Sequence, residues 1–418
     1  LKINPDRYEK FLMDLSLKTD PNQPYTRRSF SDMFVEGRQW LSEKMLELGL
    51  EVSLDCAGNL IGKRAGKNHQ SGYPHTIAIG SHSDSVPSGG RYDGIAGVIA
   101  GLECVASLND KNIALEHDLE IIDFLAEEPS EWGVSCIGSR GISGFLDEKT
   151  LQLSHPQTGE KLGIAINRMG GDSAGLKKAT HIKAFFELHI EQGKVLETLG
   201  MDIGIVSSIV GIMRIEVSFL GESNHAGTTP MNMRKDAGRI ACEMSVLGNI
   251  LASEISKRNE GYFVATCGQI FFKPNASNVI CGASKIVFDV RSDSRALMEE
   301  FRDRLLEETQ KISKKQGILL QNFEVLSDTR PTYCDRNLMG ILEGVCKKDA
   351  LPFMVMPSGA GHDSAFMSHL APVAMIFVPS QGGKSHCPEE YTSKEELGNG
   401  VNVLFKALLE YDKQFINS

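Results

Sequence analysis

At about Gly211 the pattern of apolar residues changes, and at about Thr329 it changes back. Before the first point, buried-strand runs alternate with helical runs. "HTIAIGSHSD" and "DLEIIDFLAEE" flank the small-residue helix "GIAGVIAGLECVASL", and "IKAFFELHIEQG" follows as a further strand. "RSFSDMFVEGRQWLSEKMLELGL", upstream of all of these, has helical spacing and a Gly near its end. Strands apolar on both faces and separated by helices belong to a mostly parallel sheet covered by helices. Between the two points the order is different. Strand "IMRIEVSFLG" leads to a long helix, "RKDAGRIACEMSVLGNILASEISKR", then to strands "GYFVATCGQIFFK" and "SKIVFDVRSDS". A second long helix and the strand "ILLQNFEVLS" complete a β-α-β-β-α-β unit, which can bury a core of its own. After Thr329 the first style resumes with a helix, "FMVMPSGAGHDSAF", strand "PVAMIFVPS" and a terminal helix. The expectation is an α/β domain in two pieces, residues 1–210 and 329–418, with an α+β domain, 211–328, inserted into it. A chain of 418 residues is in any case too long for one ordinary core.

The totals exclude several function classes. Net charge is −10 and no long basic run occurs, which argues against nucleic acid as a partner. No apolar stretch approaches the roughly 18 residues of a membrane span. The opening residues, "LKINPDRYEK", lack a basic segment followed by an apolar one, so no secretory signal is visible and the cytoplasm is expected. Nine cysteines are scattered singly, without a CxxC pair. Neither a disulfide framework nor a thiolate zinc site is expected, and most of the thiols read as small buried hydrophobes.

Metal-type residues gather where the expected strands end: His82 and Asp84, Asp93 in the following Gly-rich loop, Glu127 and Glu128, His189, and His386 in "GKSHCPEE". Each alone has an ordinary explanation, such as a hydrogen-bonded strand-end His, a turn Asp or a solvated acidic pair. Those explanations would have to hold separately at five strand ends, which in an open α/β sheet are where sites form. A metal site accounts for them together. Three imidazoles and two carboxylates, with no thiolate, suit zinc or a similar divalent ion. Five ligands exceed what one catalytic ion takes, so two ions sharing a carboxylate are expected. If the strand continues past His82, Asp84 points the same way and can fix the tautomer of the ring.

The motifs "GSHSDSVPSGGRYDG", "EEP", "HIEQG", "NHAGTTPM", "NVICG", "FDVRSD", "GAGHDSA" and "GKSHCPEE" run over nearly the whole chain. Through them the sequence resembles the hydantoinase/carbamoylase group of dimetal amidohydrolases, related to the zinc aminoacylases and exopeptidases. The resemblance implies that His82 and His189 bind one metal, Glu128 and His386 the other, and that Asp93 bridges them, with zinc, manganese, cobalt or nickel as the ion. Glu127 is implied as general base. Gln192, His225, Asn278, Arg291 and His362 are implied around a small ureido substrate bearing a carboxylate. Arg291 would hold that carboxylate, His225 would reach the partner's site in a homodimer, and His362 and His225 would polarise the carbonyl. The inserted domain is implied as a lid and dimerisation domain that closes Asn278 and Arg291 over the metals.

N-carbamoyl-L-amino acids are the implied substrates, hydrolysed to amino acid, carbon dioxide and ammonia. Allantoate and 3-ureidopropionate are the nearest rivals. A peptidase or N-acyl amino acid hydrolase is more distant, because the His of "HIEQG" stands where peptidase relatives carry a carboxylate. A purely binding protein would require broken ligands, and none is broken. Two departures stand out. "EEPSEWG" replaces the group's acidic pair, Gly and Arg-Phe element, so Pro129 and Trp132 are expected to reshape the wall near the metals. Cys281 replaces a common Pro in a loop. Arg291 also has an ordinary alternative, pairing with Asp289 or Asp293. His69, His75, His117, His155 and His181 are expected to be structural, and Cys136 and Cys387 lack a visible partner for thiol chemistry.

Overall fold

The structure is a computed structural model describing residues 1–68 and 75–414, so His69 lies outside the described residues. Its strands, in chain order, are β1 (Glu51–Leu54), β2 (Leu60–Arg64), β3 (Thr76–His82), β4 (Asp118–Phe124), β5 (Ile182–Ile190), β6 (Ile203–Ile209) and β7 (Gly211–Leu220). They continue as β8 (Phe263–Lys273), β9 (Ala283–Ser292), β10 (Leu319–Asp328), β11 (Thr332–Tyr333), β12 (Phe353–Ser358) and β13 (Val373–Val378). A nine-stranded sheet has the order β1-β2-β4-β3-β5-β13-β6-β11, with β12 also paired to β6. A four-stranded sheet has the order β10-β7-β9-β8.

In the larger sheet β4, β3, β5 and β13 are parallel, while β1, β2 and β6 run antiparallel to their neighbours. The expected fold class is borne out, and its cause is local. Every residue of β3, β4 and β13 is buried, and β5 is buried apart from Lys183. Helix Ile95–Asp110 is buried from Ile95 to Leu108, as its small-residue composition allows. Helix Asp32–Glu47 starts at Ser31, whose hydroxyl accepts the N–H of Phe34. The parallel registers set His82 opposite Phe124 and Phe377 opposite His189. Four strands therefore end together, and their carboxyl edge forms the crevice that doubly wound sheets use for ligands.

The chain divides into two compact units. One comprises Leu1–Ser207, Tyr333–Met356 and Gly361–Ser418, the other Ser208–Thr332 and Pro357–Ala360. The short segment Pro357–Ala360 joins the second unit through two bonds: Val210 N–H donates to the Ser358 carbonyl, and Arg291 to that of Gly359. In this unit helices Ala237–Lys257 and Arg295–Gln316 bury one face of the four-stranded sheet, with Ile215, Val217, Phe219, Phe288 and Val290 against Ile240, Met244, Phe301 and Leu305. β7 alternates buried residues with partly or fully exposed ones, as a half-covered antiparallel strand must. β8 is an edge strand whose Ile270, Phe271 and Phe272 are exposed. Among the described residues no helix is long and apolar enough to cross a membrane.

Candidate dimetal site

His82 closes β3 and His189 is the penultimate residue of β5, and both are buried. Asp93 lies in the loop that enters helix Ile95–Asp110. Its Oδ1 is 3.6 Å from His82 Nε2 and 3.1 Å from His189 Nε2. Gly94 makes this approach possible: its φ is +68°, and a Cβ there would fall 2.4 Å from the His82 ring. The remaining ring nitrogens are anchored on backbone. His82 Nδ1 donates to the Asp84 carbonyl at 3.0 Å, and His189 Nδ1 to that of Ile190 at 2.9 Å. The Gly94 N–H donates to His189 Nε2 at 3.3 Å. Both Nε2 atoms are thus turned toward Asp93, the orientation that metal-ligating imidazoles take.

Asp84 holds the His82 ring through both its main chain and its side chain. β3 stops at His82, so the strand alternation does not reach Asp84, and the His82 ring meets the main-chain carbonyl of Asp84 as well as its carboxylate. The Asp84 carboxylate, 3.5 Å from that ring, accepts the backbone N–H groups of Glu127 and Glu128 at 3.2 Å each. It fastens the acidic pair to the loop after His82.

The other oxygen of Asp93 faces a second group. Oδ2 is 3.1 Å from His386 Nε2, which is 3.5 Å from Glu128 Oε1. Gln192, implied as a substrate contact, donates from Nε2 to Asp93 Oδ2 at 3.0 Å and to Ser385 at 3.2 Å. Each trio, His82/Asp93/His189 and Asp93/Glu128/His386, offers donor atoms that all lie within 4.8 Å of one another. The first trio is buried throughout, whereas the His386 side chain is 49% exposed.

The electrostatics match a ligand set. Burial pushes the Glu127 carboxyl well above its ordinary range and Glu128 up to about 7, with neighbouring carboxylates adding to both. Burial also acts on Asp93, but hydrogen bonds from His189 and His386 outweigh it and hold Asp93 well below the usual range. The bond to Asp93 lifts His386 to about 9. Buried carboxylates that resist ionisation, facing imidazoles that hold protons, are groups whose charge a cation would balance. Nitrogen and oxygen donors, one carboxylate presenting an oxygen to each trio, and anchored second nitrogens fit two divalent ions of the zinc, manganese, cobalt or nickel type.

Glu127 lies beside the first trio, with Oε2 3.7 Å from His82 Nε2. Residues 136–138 pair with 125–127 through bonds from Cys136, Ile137 and Gly138 N–H to the carbonyls of Glu127, Ala126 and Leu125. This sets the Cys136 thiol to donate to Glu127 Oε1 at 3.4 Å. Burial pushes that thiol well above its ordinary pKa, so it stays protonated. His362 is buried with its ring 4.6 Å from that of His189, and burial keeps it neutral.

Trp132 does not face the metals. It packs in an apolar cluster with Phe30, Phe34, Leu162, Ile166 and Met169, and its Nε1 donates to the Glu160 carbonyl at 2.8 Å. Pro129 is exposed, and its carbonyl accepts from Arg28 at 2.8 Å. The "PSEW" run is therefore tied to Arg28 and to the apolar cluster around Phe30 and Leu162. In the second unit His225 and Asn278 are both exposed and held near each other by an isolated bridge between His225 and Val279 and by Ala226 N–H donating to the Asn278 carbonyl. Arg291 takes up its ordinary alternative, with Nε 2.7 Å from Asp289 Oδ1. His75, His117 and His181 pair with Asp118, Asp412 and Glu120, and His155 accepts two backbone N–H groups. Two supporting residues escape a reading of the sequence. Buried Arg27 donates to the carbonyls of Ser83, Leu15 and Lys18, fixing the segment after His82, and buried Glu390 contacts the loops of Asp93 and His386. A lone Arg and a Glu in a polar loop carry no sequence signal of burial.

A helix-covered, mostly parallel sheet with two His/carboxylate trios meeting at one Asp on its carboxyl edge is the architecture of a metal-dependent hydrolase of the amidohydrolase and exopeptidase kind. The chain belongs to peptidase family M20/M25/M40, whose model matches residues 78–410. It is 34% identical to a ureidoglycolate hydrolase of Oryza sativa, over 99% of this chain and 86% of that one. It is also 34% identical to an N-carbamoyl-L-amino acid amidohydrolase of Geobacillus stearothermophilus, over 96% of this chain and 97% of that one. A hydantoinase/carbamoylase family amidase from Burkholderia multivorans superposes with a TM-score of 0.89 at 31% identity, covering 98% of each chain. The resemblance carried by the motifs is borne out: the protein is a hydrolase of a metal-dependent amidohydrolase family.

Proposed function

We propose that this enzyme hydrolyses the carbamoyl C–N bond of N-carbamoyl-L-amino acids, releasing the amino acid, carbon dioxide and ammonia. The observation that carries the reading is Asp93 presenting one oxygen to His82 and His189 and the other to His386, with Glu127 beside them. Two divalent ions, zinc first by donor type, held by His82, His189, Glu128, His386 and the shared Asp93, would supply a Lewis acid and an activated water. Glu127 takes the proton of the attacking water and delivers it to the leaving nitrogen, a role its raised pKa suits. Cys136 holds one oxygen of Glu127 and leaves the other to face the site. Neutral His362 donates a hydrogen bond to the developing oxyanion. Arg291, steadied by Asp289 and the Gly359 carbonyl, binds the substrate carboxylate with its remaining N–H groups.

A homodimer is part of the reading. β8 is an unpaired edge carrying exposed Ile270, Phe271 and Phe272, which favours addition of the same strand from a second copy. His225 would then serve the partner's site. A monomer mass by light scattering would remove this element.

A second reading, ureidoglycolate as substrate, is favoured by the relative from Oryza sativa and shares the ureido group and the carboxylate. Ammonia release should be compared for N-carbamoyl amino acids, ureidoglycolate, allantoate and 3-ureidopropionate on enzyme reconstituted with each metal. The highest kcat/KM is expected for an N-carbamoyl-L-amino acid. Activity confined to the other three would replace this reading, and none with any ureido compound would end it.

A further inference from the structure

We propose that Glu390 is a positioning residue that clamps the loop of Asp93 to the loop of His386 and thereby sets the affinity of the exposed trio for its cation. The inference rests on the dimetal reading above. Glu390 is only 1% exposed although it stands in a polar loop. Its Oε1 accepts the backbone N–H of Tyr92 at 2.8 Å and of Asp93 at 3.1 Å. Its Oε2 accepts the Ser385 hydroxyl at 2.8 Å, one residue before His386. Gly90 is the clearance for this arrangement, since a Cβ there would fall 1.9 Å from the Glu390 carboxyl carbon.

The bonds close a ring. Asp93 is tied through its backbone to Glu390, Glu390 to Ser385, Ser385 to Gln192, and Gln192 back to the Asp93 carboxylate. Asp93 and His386 come from loops 293 positions apart in sequence, yet both must reach one ion within a few tenths of an ångström. His189, by contrast, stands on a buried strand, and the Asp93–His189 contact does not involve the His386 loop. Loosening the clamp therefore weakens the exposed trio, which loses the tie between its two loops, more than the buried one, whose imidazoles stay on the sheet. The clamp works by reach and hydrogen bonding. A Gln at position 390 can still accept both N–H groups and donate to Ser385, whereas an Asp is shorter by one C–C bond, about 1.5 Å.

The metal-free full chain is titrated calorimetrically with Mn²⁺, and bound metal is counted by atomic emission. Wild type is expected to take two ions per chain. Glu390→Asp should keep the tighter ion and lose about 10-fold or more in affinity for the weaker one, in the range typical of residues that orient ligands. Glu390→Gln should stay within about 3-fold of wild type, a rescue that separates positioning from charge. Ser385→Ala, a change in a partly exposed loop, should weaken the same ion by a smaller factor, and it keeps the test alive if Glu390→Asp does not fold. Wild-type titrations for Glu390→Asp and Ser385→Ala would overturn the clamp, as would a Glu390→Gln loss equal to that of Glu390→Asp. Fewer than two ions in wild type would instead overturn the dimetal reading itself.

Discussion

The two halves of the site are built on different supports. His82 and His189 stand on adjacent parallel strands of the buried sheet, and each ring is braced by a main-chain carbonyl. Glu128 and His386 stand on loops, and His386 is half exposed with a left-handed backbone. Asp93 belongs to both. Strand ends hold ligands with the rigidity of the core, whereas loop ligands depend on local hydrogen bonds such as those of Glu390 and Asp84. One half is therefore fixed by the core, and the other is held by loop contacts.

The broadest test removes the member common to both halves. Asp93→Ala should leave less than one metal equivalent per chain and reduce turnover by at least about 10⁴-fold, read by metal analysis and ammonia release. Glu127→Gln should keep both equivalents and still lose about 10²–10⁴ in kcat, since only the proton carrier is gone. Near-normal turnover would remove Glu127 from the mechanism. The finest test sets the halves against each other. His386→Ala should retain one tightly held equivalent, whereas His189→Ala should weaken retention of the first ion by about 10–100-fold more. Equal losses in the two variants would erase the distinction.

Much of the fold is legible in the sequence because its central strands are apolar on both faces and its helices carry clear periodicity. β1 and β2 are not legible; at four and five residues they are too short to show a period. Nor does local pattern disclose that β3 lies between β4 and β5, which depends on crossovers from distant helices. At the site, His82 and His189 stand out from their places at strand ends, and Glu128 from the acidic pair in the loop after β4. Trp132 is misread because its proximity to Glu128 in sequence hides its direction, which is set by Phe30, Leu162 and Ile166 from other parts of the chain. Asp84 sits beside the His82 ring, but alternation is not what puts it there, because β3 ends at His82 and the chain turns before Asp84.

Four non-glycine residues around the site, Ala126, Cys136, Gln192 and His386, have φ between +53° and +58°. Each such conformation costs of order 1–3 kcal/mol and is tolerated because the surrounding bonds demand it. Glycine would relieve the strain at any of them while removing a methyl from the supporting apolar cluster, or a thiol, an amide or an imidazole from the site. Laboratory evolution that selected for heat resistance alone would drift toward glycine at these positions, and its most robust descendants would be its poorest catalysts.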